Sequence, residues 1–208
     1  MKRIILLISI ALACNCASAQ ETQQVEKKNF FSDMKCDITF GIRVGRVEGE
    51  VTDEIHYIEG YSNYYNIMGL SLGVDVKKPI LHFPNEASTI YAATGLHFLG
   101  NKVYDDEFLV EGDLIRHIKV PLYAGFSYQF KKCSLFIELG PCLMFNIGGD
   151  HKEEYSSTAY GLGTHIGIKF RRFSFSVGTE KGLTKFTKDG MKANPGCINL
   201  SWTLGHKK

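Results

Sequence analysis

The chain has 208 residues, 44% of them hydrophobic, and a formal net charge of +2 from 24 basic and 22 acidic residues. That length suits one domain with a short tail, and so even a balance carries no electrostatic footprint of a nucleic-acid binder. Past the first residues no apolar run is long enough for a transmembrane helix, which excludes insertion by helices and leaves a closed barrel as the one way to span a membrane.

Residues 1–19 read as an export signal. Lys2 and Arg3 precede an apolar run from Ile4 to Ala13, and Ala17-Ser18-Ala19 offers a small-residue cleavage site before Gln20. Lipidation at Cys14 or Cys16 is not expected, because Asn15 precedes Cys16 and Ala11 stands where a lipobox before Cys14 usually has Leu. Cleavage leaves a polar periplasmic tail over residues 20–35 and a barrel domain over 36–206. Two of the 24 basic residues leave with the signal, so the remainder equals the 22 acids.

From residue 38 onward the dominant period is two. Ile38, Phe40, Ile42 and Val44 alternate with Thr39, Gly41, Arg43 and Gly45. Met68 to Val76 alternates with Gly69, Ser71, Gly73 and Asp75, and Ile90 to Phe98 with Tyr91, Ala93, Gly95, His97 and Leu99. A fourth segment runs from Ile118 to Phe130 against Lys119, Pro121, Tyr123, Gly125, Ser127 and Gln129. The fifth, Leu135 to Ile147, opposes Phe136, Glu138, Gly140, Cys142, Met144 and Asn146. Tyr160 to Phe170 opposes Gly161, Gly163, His165, Gly167, Lys169 and Arg171. Phe173, Phe175 and Val177 oppose Ser174, Ser176, Gly178 and Glu180, and Ile198 to Leu204 opposes Asn199, Ser201, Thr203 and Gly205.

These segments predict an all-β, up-and-down antiparallel transmembrane β-barrel of about eight strands. Lys131-Lys132 and Arg171-Arg172 mark very tight turns, whereas residues 48–60, 101–112, 149–156 and 184–195 form longer polar links. Short periplasmic turns and long external loops place the protein in the outer membrane of a Gram-negative envelope with both termini periplasmic. Lys77 to Ala87, with Pro79 and Pro84, is long for a periplasmic turn and is expected to carry short structure of its own.

The face opposite the apolar one is mostly Gly, Ser, Thr and Ala. A water-soluble, lipocalin-like barrel would instead need a Lys- and Glu-rich exterior. Small residues suit the inside of an eight-stranded barrel, which side chains can fill. A lumen charge network is expected from Arg43, Asp75, Lys119, Glu138, Lys169, Arg171 and Glu180, paired because unpaired buried charge costs several kcal/mol. Aromatic girdles are expected at Tyr128, Phe130, Phe170 and Phe173 near one rim, and at Tyr61, Tyr64, Tyr65, Tyr155 and Tyr160 near the other.

IKVPLYAGFSYQF followed by FIELGPCLMFNIGG resembles the PorT-like outer-membrane β-barrel family, and GLGTHIGIKF, GLTKF and INLSWTLG resemble that family's later strands. The resemblance spans residues 36–206. It implies a barrel fold, an outer-membrane location and, in one version, an accessory part in protein secretion. The chain departs from the pattern in two places. It ends His206-Lys207-Lys208 where many such barrels end on an aromatic residue, and Lys119-Val120 precedes Pro121 where the family usually has an acid. No functional residue is carried over.

No catalytic, cofactor or metal site is expected. Cys36, Cys133, Cys142 and Cys197 are widely spaced without a CxxC pair, so they are read as unpaired, with three disulfide connectivities open. His97 and His165 fall on the lumen face, while His56, His117 and His151 are read as loop residues. Gly161, Gly163 and Gly167 lie in a strand and read as space-savers, not as a phosphate loop. Ser62, His56 and Glu59 supply the raw material for a lipid-modifying enzyme without a visible nucleophile–base arrangement. The expected partners are outer-membrane lipids, the barrel assembly machinery, and envelope or secretion proteins that the body anchors or the loops bind.

Overall fold

The computed structural model describes residues 34–48, 64–83, 87–105, 112–150, 152–188 and 190–204. The export signal, the tail up to residue 33 and the links 49–63 and 106–111 lie outside them, with Tyr61, Ser62, His56, Glu59 and His151. The described residues belong to one compact unit, Met34–Lys208. Its strands are β1 (Lys35–Glu48), β2 (Tyr64–His82), β3 (Ser88–Asp105), β4 (Gly112–Phe130), β5 (Cys133–Gly149), β6 (Thr158–Phe170), β7 (Phe173–Gly182) and β8 (Lys192–Leu204). They run antiparallel in sequence order around a closed barrel of eight strands, with β1 paired to β8 from Cys36↔Leu204 to Glu48↔Lys192. Closure leaves no open edge along these ladders.

Alternation sets the two faces. Through the middle of the barrel the apolar residues point out: Leu72 is 58% exposed, Leu96 59% and Ile166 57%, and comparable side chains come from every strand. Ser71, His97, His165 and Ser176, one residue out of phase, are buried inside. A water-soluble barrel has the opposite polarity.

Toward the long-loop end the phase reverses. Val47, Ile67, Val103, Ile115 and Ala193 turn inward and are buried, while Arg46, Glu48, Asn66, Lys102, Arg116 and Lys192 take the outer face. The strands therefore continue past the apolar belt with the polarity of a soluble barrel. This corrects the expectation that residues 101–112 and 184–195 are wholly links: β3 runs to Asp105, β4 starts at Gly112 and β8 at Lys192.

At the opposite end Phe130↔Cys133 and Phe170↔Phe173 close two-residue turns. Lys131 (φ 52°) and Arg171 (φ 55°) sit in the left-handed region, which costs a non-glycine residue roughly 1–2 kcal/mol. The segment Lys77 to Ala87 is described except for residues 84–86. Its first part is strand: β2 continues to His82, shifting register between Pro79 and Leu81.

Candidate functional site

The middle of the lumen holds charge. Small residues make room for it: a Cβ on Gly125 would overlap the Tyr91 ring, one on Gly163 the Tyr123 hydroxyl, and one on Gly167 the Phe136 ring. Side chains from opposite walls can therefore meet across a narrow interior.

Glu180 on β7 is the hub. Its Oε2 accepts from Arg43 Nη2 of β1 at 2.5 Å and its Oε1 from Lys119 Nζ of β4 at 2.6 Å. Arg43 is 2% exposed and Glu180 1%. Arg43 Nη1 also donates to Asn101 Oδ1 at 3.3 Å, and Asn101 Nδ2 lies 3.5 Å from His117 Nδ1. Closer to the short-turn end, Lys77 Nζ donates to Glu138 Oε1 at 2.6 Å, which also accepts from the Tyr91 hydroxyl at 2.8 Å. Asp75 accepts from Thr39 at 2.5 Å and lies 2.7 Å from His97 Nε2. Lys169 donates to the Thr203 hydroxyl, which donates to Asp37, and the Lys169 ammonium stands 3.8 Å from that carboxylate.

Arg43, Lys77, Lys119 and Lys169 thus face Asp37, Asp75, Glu138 and Glu180, so the charges named here cancel. Of the residues read from sequence, Arg43, Lys119 and Glu180 meet in one cluster, while Asp75, Glu138 and Lys169 each bond to residues outside the expected charge network. Arg171 does not join them. It is exposed on the β6–β7 turn, its guanidinium 5.5 Å from the Phe170 ring, because the strand ends one residue before it.

Asp37 and Lys77 were within reach of the sequence. Each lies one step beyond an alternating segment, on the parity of Thr39 and Asp75. His117 also differs from its loop reading: it is buried inside, because β4 extends to Gly112 and residue 117 shares the parity of Lys119.

The long-loop end of the lumen is shut by an apolar cap. Phe186 and Met191 from the β7–β8 link and Tyr155 from the β5–β6 link pack on Val47, Ile67, Val103, Ile115 and Ala193. Phe186 N donates to Met191 O at 2.6 Å and Ser156 N to Phe186 O at 2.9 Å, tying the two links together. Tyr155 is therefore no outward girdle residue. Its hydroxyl donates to Asp113 Oδ2 at 3.0 Å, and burial, reinforced by that carboxylate, pushes its phenol above the usual range. Tyr128, Phe130, Phe170 and Phe173 do stand outward beside the short turns, and Tyr160 stands outward toward the other end.

Among the described residues one group has metal-ligand spacing: His165, Glu180 and Cys197 place ligand atoms within 4.8 Å of one another. Both Glu180 oxygens are already taken by Arg43 and Lys119, so a cation would enter against two fixed positive charges. Among the described residues Cys36, Cys133, Cys142 and Cys197 are free thiols. The geometry equips the lumen to be electrically neutral and filled, capped at one end.

Fold and lumen together define a closed eight-stranded antiparallel barrel with an apolar outer belt and a charged, packed interior. No protein-family model and no curated protein matches the chain. Among solved structures it is similar to OprG, an outer membrane protein from Pseudomonas aeruginosa (9% identity, 84% of this chain and 97% of that one, TM-score 0.48). It is similar also to the outer membrane enzyme PagL (16%, 78% and 97%, 0.46). A third is Ail, the attachment invasion locus protein of Yersinia pestis, in complex with sucrose octasulfate (16%, 83% and 99%, 0.41). At such distances nothing about activity, location or partner follows from them.

Proposed function

We propose that this chain is an integral outer-membrane barrel, with both termini on the periplasmic side, that passes no solute through its lumen and works without enzymatic chemistry. Its body anchors envelope components or its long loops bind a ligand outside. The observation that carries this reading is the polarity of the barrel: an apolar belt around all eight strands, bounded on the loop side by Arg46, Lys102, Arg116 and Lys192, with paired charge inside. Such a surface is stable against acyl chains and unstable against water. The side of the termini follows from an even strand number with two-residue turns at the same end. The ion-paired lumen and its apolar cap argue against a conduit. The resemblance to PorT-like barrels suggests a second version, an accessory part in protein secretion, which co-purification from the envelope tests.

Trp202 supplies the test of the membrane reading. It is the single tryptophan of the chain, 49% exposed on the outer face and stacked on Phe173 with centroids 6.1 Å apart. In reconstituted vesicles its emission is expected to be blue-shifted and quenched by lipids brominated on their acyl chains, with little effect from iodide. Strong iodide quenching, together with a gel band that does not shift on boiling, overturns the membrane reading. A steady conductance in planar bilayers removes the closed-lumen part. A lipid profile that changes when the gene is deleted, and returns with it, removes the non-enzymatic part.

A further inference from the structure

The two cavities at the short-turn end of the lumen differ from the rest of the interior in the sign of their walls. The first, about 120 Å³, is lined by Lys35, Lys77 and Lys169 together with the Tyr91, Ser134 and Ser174 hydroxyl side chains. The second, about 200 Å³, shares Lys35 and Lys169 and adds Arg171, Arg172 and Thr203. Five cations line these two cavities, and among the described residues no Asp or Glu does.

The carboxylates that answer Lys77 and Lys169, on Glu138 and Asp37, are absent from both linings, and Asp37 is buried. Neither cavity is fully enclosed by the described residues. Ammonium, guanidinium and hydroxyl groups lining one partly desolvated hollow are the chemistry of an anion site. The wall that neutralises charge in mid-lumen leaves a positive excess here.

We propose that this mouth is a binding site for a small oxyanion, a phosphate or carboxylate group of a soluble ligand, held chiefly by Lys35, Lys169 and Arg172. The inference rests on the membrane reading only for the compartment the mouth faces. Lys77, committed to Glu138 at 2.6 Å, sets the floor.

The test is calorimetric titration of the full-length protein in detergent with inorganic phosphate and, separately, with acetate, at constant ionic strength. The same samples are run on a heat-modifiability gel, so that failure of the barrel and failure of the site are told apart. One saturable site per barrel is expected; tighter phosphate assigns a phosphorylated ligand and tighter acetate a carboxylate. Lys169→Gln is expected to weaken binding roughly tenfold, the loss of one charge-assisted hydrogen bond. Because Lys169 also bonds to Thr203, the exposed-rim variants Lys35→Gln and Arg172→Gln provide a second reading that leaves the lumen network intact. Lys102→Gln and Lys192→Gln, toward the opposite end, are expected to change nothing. No saturable binding in a heat-modifiable sample overturns the proposal, as does equal weakening by the two distant variants.

Discussion

At the long-loop end the lumen stops beneath Tyr155, Phe186 and Met191, packed on inward apolar residues of the strands. At the short-turn end it widens into cavities walled by lysine, arginine and hydroxyl groups. The first mouth buries apolar area; the second has room for water and carries positive charge. Both are built on the same two-residue period, and what differs is its phase relative to the barrel wall. Where the wall meets the apolar belt, polar residues turn in; past the belt on the loop side, apolar residues turn in and create a surface that needs covering.

The largest test of this contrast strikes the layer between the mouths. Glu180→Ala leaves Arg43 and Lys119 facing each other without their shared carboxylate, and is expected to cost about 3–5 kcal/mol, read as a fall in the urea midpoint of unfolding from vesicles. Adding Lys119→Met to it should recover part of that loss. An unchanged midpoint in the single variant would mean that water, not Glu180, compensates the two cations.

Phe186→Ala should cost about 3 kcal/mol, and the cost should stay at the cap: residues 183–191 become open to proteolysis while the barrel still shifts on a heated gel. Loss of the whole barrel would show that the cap and the ladder form one cooperative unit. At the other mouth Gln129→Ala is expected within about 0.5 kcal/mol of the parent, since it lines an open cavity and fills no core. Of similar size is the effect expected from Lys131→Gly, a net gain of at most about 0.5 kcal/mol, because relief of the positive φ is offset by the freer unfolded chain.

The same phase decides what the sequence shows and what it hides. The strand count, the sequence-order topology and the outward face of the belt are all readable, because Ile38 through Val44 and their counterparts keep one parity. The reversal at Val47, Ile67, Val103 and Ile115 breaks that parity, and a break in alternation is read as the end of a strand. His117 was assigned to a loop for this reason. Phe186 and Met191 carry no periodic signal, since a link residue is buried or exposed according to what the barrel beneath presents. In the lumen, parity names Arg43, Lys119 and Glu180 as inward. It says nothing of height, so which carboxylate meets which cation depends on register across several strands, as in the bond from Lys77 to Glu138.

The ladder between β1 and β8 joins Cys36 to Leu204, nearly the two ends of the described chain. A contact so distant in sequence forms late, after its loop-closure entropy has been met. On the proposed membrane reading, until β8 arrives both edges of the sheet would expose unpaired amides that lipid cannot solvate. Insertion is therefore expected to be all-or-none, and a chain cut before Lys192 should accumulate outside the bilayer, with no seven-stranded intermediate inside it.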